Sequence, residues 1–185
     1  AGLATVDSPG RLEIVRRSPT VLVDAAHNPA GARALRDAIQ DSFTFARLVG
    51  VVAVMKDKDA AELLEALEPV LDEVVVTRTS SPRAMSPRQL GEIATDIFGE
   101  HRVVVVDELP DALDRAAGMA DESGGVSGGV LATGSVVTAA EGPHGLPVGV
   151  QLVGAPGGDA ALLAAAEWVE RAPRIGSSPG HRGGE

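Results

Sequence analysis

The chain has 185 residues, 44% of them hydrophobic, enough for one sizeable core, and its 26 acidic against 16 basic residues leave a formal charge of −10. That balance argues against general binding of nucleic acid or anionic membranes, and the lack of any cysteine excludes disulfides, thiolate metal sites and cysteine nucleophiles. No run is long enough for a membrane span and no signal peptide opens the chain, so a cytoplasmic protein is expected.

The chain starts at Ala1 without methionine, and residues 1–7 read as a linker entering a domain of a longer protein. Ser8-Pro9-Gly10-Arg11 is a turn. Residues 12–15 alternate like a half-buried strand that Arg16-Arg17-Ser18-Pro19 should break, and a second strand follows over residues 21–24. From Pro29 onward Ala32, Leu35 and Ile39 recur at helical spacing, with Arg33, Arg36 and Asp37 on the opposite face. Residues 48–55 are almost continuously aliphatic, as in a strand buried on both faces of a parallel sheet.

That strand ends in Lys56-Asp57-Lys58-Asp59. Asp59 and Glu62 make a capping pair for a helix whose apolar stripe is Leu63, Leu64, Leu67, Val70 and Leu71. A strand at 73–77 and a polar loop at 78–83 follow, after which Ser86 and Gln89 form a second capping box. Leu90, Ile93, Ala94 and Ile97 face the core, and Gly99 sits where a helix-ending glycine belongs. Another aliphatic strand spans 103–106, Pro110 opens a further helix, residues 123–129 read as a Gly-rich connector, and 130–133 form the last strand. Strands alternating with helices of ten to fifteen residues predict an α/β fold: a mostly parallel, Rossmann-like sheet with helices on both faces. No period of 20 to 50 residues repeats, which excludes a solenoid.

The chain is organised around Val21-Leu22-Val23-Asp24-Ala25-Ala26-His27-Asn28-Pro29. Asn28 suits an N-cap and Pro29 the first helical position, so a helix should start just past His27. Its amino end favours an anion, while Asp24, at the carboxyl end of a strand, offers two acceptor oxygens suited to ribose hydroxyls. Phosphate on one side and sugar on the other suggest a nucleotide. The competing reading makes Asp24 a turn former and His27 a packed, hydrogen-bonded side chain.

Pro9-Gly10-Arg11-Leu12-Glu13, Val23-Asp24-Ala25-Ala26-His27-Asn28-Pro29, Lys56-Asp57-Lys58-Asp59 and Thr133-Gly134-Ser135, in this order and spacing, resemble one family over residues 8–141. It is the C-terminal domain of folylpolyglutamate synthase/dihydrofolate synthase, in the Mur ligase superfamily. The resemblance implies ligase chemistry in folate biosynthesis and one-carbon metabolism: ATP phosphorylates a carboxylate of folate or dihydropteroate, and the glutamate amine attacks the acyl phosphate. It also implies cofactor-binding roles. Arg11 would approach the phosphates, Asp24 the ribose, and His27 the phosphates or the incoming glutamate, while Asn28 orders the turn. Lys56 and Lys58 could face phosphate or a glutamate carboxylate, or simply form a solvated charged turn with Asp57 and Asp59. Thr133-Gly134-Ser135 resembles the family's last strand-to-helix turn.

The sequence contains no Gly-x-x-x-x-Gly-Lys-Ser/Thr motif. The implied partner is an N-terminal P-loop ATPase domain that would hold Mg with the ATP, and the chain alone is expected to carry no catalytic residue and to be inactive. Residues 142–172, with Gly145-Leu146-Pro147-Val148-Gly149-Val150-Gln151-Leu152-Val153-Gly154, resemble instead the C-terminal strand and helix of amidase signature enzymes. Residues 173–185 carry no apolar pattern and read as a disordered tail. The alternatives are therefore a noncatalytic orphan or fusion domain, or the C-terminal fragment of an amidase.

Overall fold

The computed structural model describes residues 12–122 and 128–135, which all belong to one unit of the chain. Arg11, the linker at 1–7, most of the Ser/Gly connector, and the amidase-like and terminal segments beyond 141 lie outside the described residues. Among the described residues no helix is long and apolar enough to cross a membrane.

Six strands form one sheet: β1 (Glu13–Arg17), β2 (Thr20–Val23), β3 (Arg47–Val52), β4 (Glu73–Arg78), β5 (Val103–Glu108) and β6 (Gly128–Thr133). Their spatial order is β1-β2-β6-β3-β4-β5. Only the β1–β2 pair is antiparallel; β2, β6, β3, β4 and β5 run parallel. Four helices connect them: α1 (Pro29–Ser42), α2 (Ala60–Leu67), α3 (Pro87–Phe98) and α4 (Leu109–Asp121).

Strand alternation divides the interior into two cores. Leu22, Val52, Val74, Val76 and Leu131 point to one face, where α1 contributes Leu35 and Ile39, α2 Leu63 and Leu64, and α3 Leu90 and Phe98. Their neighbours Val21, Val23, Val51, Val75, Val130 and Ala132 point to the other, which α4 covers with Leu113, Ala116 and Met119. Because successive strand residues face opposite ways, strands covered on both sides must be apolar throughout, which explains the unbroken aliphatic run of β3. The expected two-faced α/β architecture is present.

Several boundaries differ from expectation. Arg16 and Arg17 do not break the first strand but belong to it, with Arg17 opposite Thr20. As part of an edge strand they project into solvent, where charge is tolerated. The α2 stripe was expected to run to Leu71, yet the helix stops at Leu67 and continues only as a 3-10 turn over Glu68–Val70. Pro69 has no N–H to extend the helical ladder, although Leu71 remains buried. Gly128 and Gly129, assigned to the connector, instead start β6, where a side chain on Gly129 would meet the Phe45 ring at 2.6 Å. At α3 the Ser86 hydroxyl accepts from the Gln89 amide at 3.3 Å, but the Gln89 side chain turns to that hydroxyl (2.9 Å) rather than back to the backbone.

Candidate functional site

Five parallel strands bring their carboxyl ends to one edge, the position at which open α/β sheets bind ligands. At the end of β2, Val23 pairs with Ala132, and at the end of β3, Val52 pairs with Thr133. The register therefore sets Asp24-Ala25-Ala26-His27 beside Thr133-Gly134-Ser135, over a hundred residues away in sequence. Main-chain bonds lock the two turns together: the Asp24 amide donates to Ala132 O at 3.0 Å and the Gly134 amide to Ala26 O at 2.9 Å. The buried Thr133 hydroxyl also donates to Ala26 O, at 3.4 Å.

Gly134 makes this close approach possible. Its φ is +96°, and a Cβ there would lie 2.7 Å from the Ala53 carbonyl oxygen. Only glycine enters that backbone region without steric cost.

Both Asp24 oxygens hold main-chain donors. Oδ1 accepts from the Ala26 amide at 2.7 Å, and Oδ2 accepts from the Leu12 amide at 2.9 Å. The side chain thus acts as the turn former of the competing reading, and it also ties in the segment that precedes β1.

His27 is half-buried, and its Nδ1 lies 2.8 Å from the Ala25 carbonyl oxygen. A carbonyl can only accept, so Nδ1 carries the proton and Nε2 is the nitrogen left for a ligand. Asn28 caps α1 as expected. Its Oδ1 accepts from the Gly31 amide at 2.8 Å, with Pro29 in the first turn.

Lys56 and Lys58 belong to a neighbouring edge region instead. The Lys56 amide donates to Arg83 O at 2.9 Å, and Met55 bridges to Ala84. Asp57 lies 3.3 Å from the Lys58 ammonium and 2.9 Å from the Arg83 guanidinium. The hydrogen bond from Arg83 holds the Asp57 carboxyl below its ordinary 3.8, against the opposing effect of desolvation and helped by Lys58. This is the charged-turn arrangement, with Lys58 engaged and Lys56 facing a cavity of about 550 Å³ between the ends of β3, β4 and β5.

Arg78, Ser81 and Gln89 also line that cavity, and Arg78 is ion-paired to Glu108. Sequence reasoning treated residues 78–83 only as a polar loop. The available signal was a basic and hydroxyl-rich stretch directly after a core strand, a position that faces the ligand edge.

The profile described as Mur ligase, glutamate ligase domain matches residues 10–136. The chain belongs to the Mur ligase glutamate ligase domain family. Within it, the chain corresponds to the C-terminal domain of folylpolyglutamate/dihydrofolate synthases. It is 49% identical over 148 residues to the dihydrofolate synthase/folylpolyglutamate synthase of Mycobacterium tuberculosis, a match covering 75% of this chain and 30% of that protein.

The folylpolyglutamate synthase of the same organism, crystallised with ADP and AMPPCP, superposes with a TM-score of 0.70 at 48% identity, over 73% of this chain and 31% of that one. The bifunctional synthase of Yersinia pestis, complexed with AMPPNP and Mn ion, gives 0.62 at 27% identity, over 74% and 31%. The chain therefore spans about a third of the length of these Mur ligase relatives.

Proposed function

We propose that this domain is the closing part of an ATP-dependent ligase that adds glutamate to folate or dihydropteroate. The single observation that carries the proposal is the match of residues 10–136 to the glutamate ligase domain. Relatives crystallised with adenine nucleotides support it. The γ-phosphoryl group of ATP passes to a substrate carboxylate oxygen, giving an acyl phosphate and ADP. The glutamate amine then attacks the acyl carbon, phosphate leaves, and the nitrogen loses a proton to form the amide.

Such a transfer depends on positioning and charge neutralisation more than on covalent chemistry by the protein. Arg11 meets the phosphates, His27 meets the phosphates or the incoming glutamate, and Asn28 orders the turn. With Nδ1 committed to Ala25, Nε2 donates to an anion only when the ring is an imidazolium; as neutral imidazole it accepts, which suits an amine. Asp24, expected at the ribose, already holds two main-chain donors.

ATP and Mg are assigned to a partner P-loop domain. In this reading the chain alone does not turn over ATP. The test is a chimera in which this chain replaces the matching segment of the mycobacterial synthase. Release of ADP that requires both glutamate and a folate or dihydropteroate acceptor is the expected result. A folded chimera that releases none leaves a noncatalytic domain.

A further inference from the structure

We infer that the outer edge of β5 takes up an extended segment of a partner protein as a seventh strand, one whose residues alternate between basic and apolar. This edge is separated from the turns after β2 and β6 by β3 and β4, so the inference does not rest on the ligase reading.

An open sheet edge exposes unpaired main-chain groups, and proteins ordinarily guard it with charge, a bulge or a cover. The two edges of this sheet are treated differently. β1 has a register shift between Ile14 and Arg16, and its Arg16 and Arg17 side chains are exposed. β5 instead offers four consecutive valines, Val103 to Val106, with no charge among them. Nothing among the described residues pairs with its outer side, and Val105 is 51% exposed.

The surroundings specify the occupant. On the α3 face a groove of about 520 Å³ runs beside β5, with Val103 and Val105 in its lining and Glu92, Asp96 and Glu100 among its charged residues. Of these acids only Glu92 is paired, to Arg88 at 3.2 Å. Asp96 and Glu100 are exposed and have no basic partner among the described residues. On the opposite face Val104 and Val106 are partly buried against the core that α4 covers.

A strand laid along β5 alternates its side chains between these two faces. Lysine or arginine on the α3 face rests its aliphatic stem on Val105 and sends its charge to Asp96 and Glu100. Apolar residues on the other face extend the surface of Val104 and Val106. Strand addition draws affinity from main-chain bonds and selectivity from alternate side chains. The same charges disfavour a second copy. Antiparallel pairing of two β5 edges about a two-fold axis sets both α3 helices on one face with their acids toward each other, and each chain carries −10. Like charges placed opposite one another oppose such pairing.

The test titrates the 185-residue chain, followed by amide NMR, with a blocked heptapeptide of alternating lysine and valine and with a control peptide carrying glutamate for lysine. The lysine peptide is expected to shift the amides of Val103 to Val106 and Thr95, less so as salt is added, and the glutamate peptide to leave them in place. Asp96→Asn combined with Glu100→Gln should weaken binding about fivefold, as for solvent-exposed ion pairs. Val105→Lys, which puts a like charge in the groove, should abolish it. These side chains are exposed, and a parent-like urea midpoint checks that each variant folds; the double variant decides the matter if Val105→Lys does not.

Absence of shifts at these amides, an equal response to both peptides, or unchanged affinity in the double variant overturns the inference. So does slow exchange of the outward β5 amides in the peptide-free monomer, which would mean that the chain covers its own edge. A dimer that Val105→Lys dissociates overturns it in favour of a second copy.

Discussion

Gly134→Ala is expected to destabilise the domain strongly, because Gly134 sits where β6 leaves the sheet between the turns of β2 and β3. Its amide donates to Ala26 O, and its φ is +96°. Placing an L-residue in that region costs about 1–2 kcal/mol. The new methyl would also lie 2.7 Å from Ala53 O and 3.0 Å from Val52 Cγ1, and relieving such overpacking costs about 1–3 kcal/mol more. The sum is roughly 2–5 kcal/mol; with a urea m-value of about 2 kcal/mol/M, the unfolding midpoint should fall by roughly 1–2.5 M.

Gly118→Ala is the control. Gly118 is an exposed α4 residue with nothing within 4 Å of an added Cβ, so it should gain about 0.5–1 kcal/mol. Urea unfolding followed by circular dichroism measures both. A Gly134→Ala midpoint within error of the parent, or a loss at Gly118→Ala, would refute the geometric reasoning.

Two further outcomes follow from the local contacts. Asp59→Ala removes the acceptor for the Glu62 amide, a 2.9 Å bond at the start of α2, and should cost about 1 kcal/mol by the same urea assay; no change would mean that the cap is satisfied by water. Arg83→Ala should raise the titration midpoint of the Asp57 carboxyl, observed by NMR, toward 3.8, because the Arg83 hydrogen bond is the first cause of its lowering. Since the folded value is depressed, any stabilisation from this pair is present above 3.8 and lost as pH falls through the folded value. An unmoved midpoint would remove Arg83 as the cause.

The features legible in sequence were those set by neighbouring residues. Asn28-Pro29 marked the start of α1 because capping is settled within four residues, and Asp59 with Glu62 marked α2 for the same reason. The aliphatic runs of β3 and β4 gave away a two-faced sheet, since both sets of alternating side chains had to be apolar. The insertion of β6 between β2 and β3 was not legible, because it depends on pairing between residues about a hundred apart. Nor was the glycine pair at the start of β6. It resembled a connector because the need for glycine comes from Phe45 packing across the sheet.

The site divides along the same line. The types and order of Asp24, His27 and Asn28 pointed to the strand-to-helix junction, and the structure brings them beside Thr133-Gly134-Ser135. What Asp24 holds could not be read, since Leu12 becomes its partner only once the β1–β2 hairpin has formed. Lys56 and Lys58 looked like a pair, yet only Lys58 is drawn to Asp57, while Lys56 turns to the cavity beside Arg78.

The most direct test of the account is the rate of the chimeric ligase carrying Arg11→Ala or His27→Ala, with Arg36→Ala on the distal part of α1 as control. Arg36 is paired to Asp37 and has no assigned part in the chemistry. The account predicts that kcat/KM for ATP falls about a hundredfold or more for Arg11→Ala, as when a charge-stabilising donor is removed, falls clearly for His27→Ala, and holds for Arg36→Ala. Parent-like rates for both Arg11→Ala and His27→Ala in a folded chimera would contradict it.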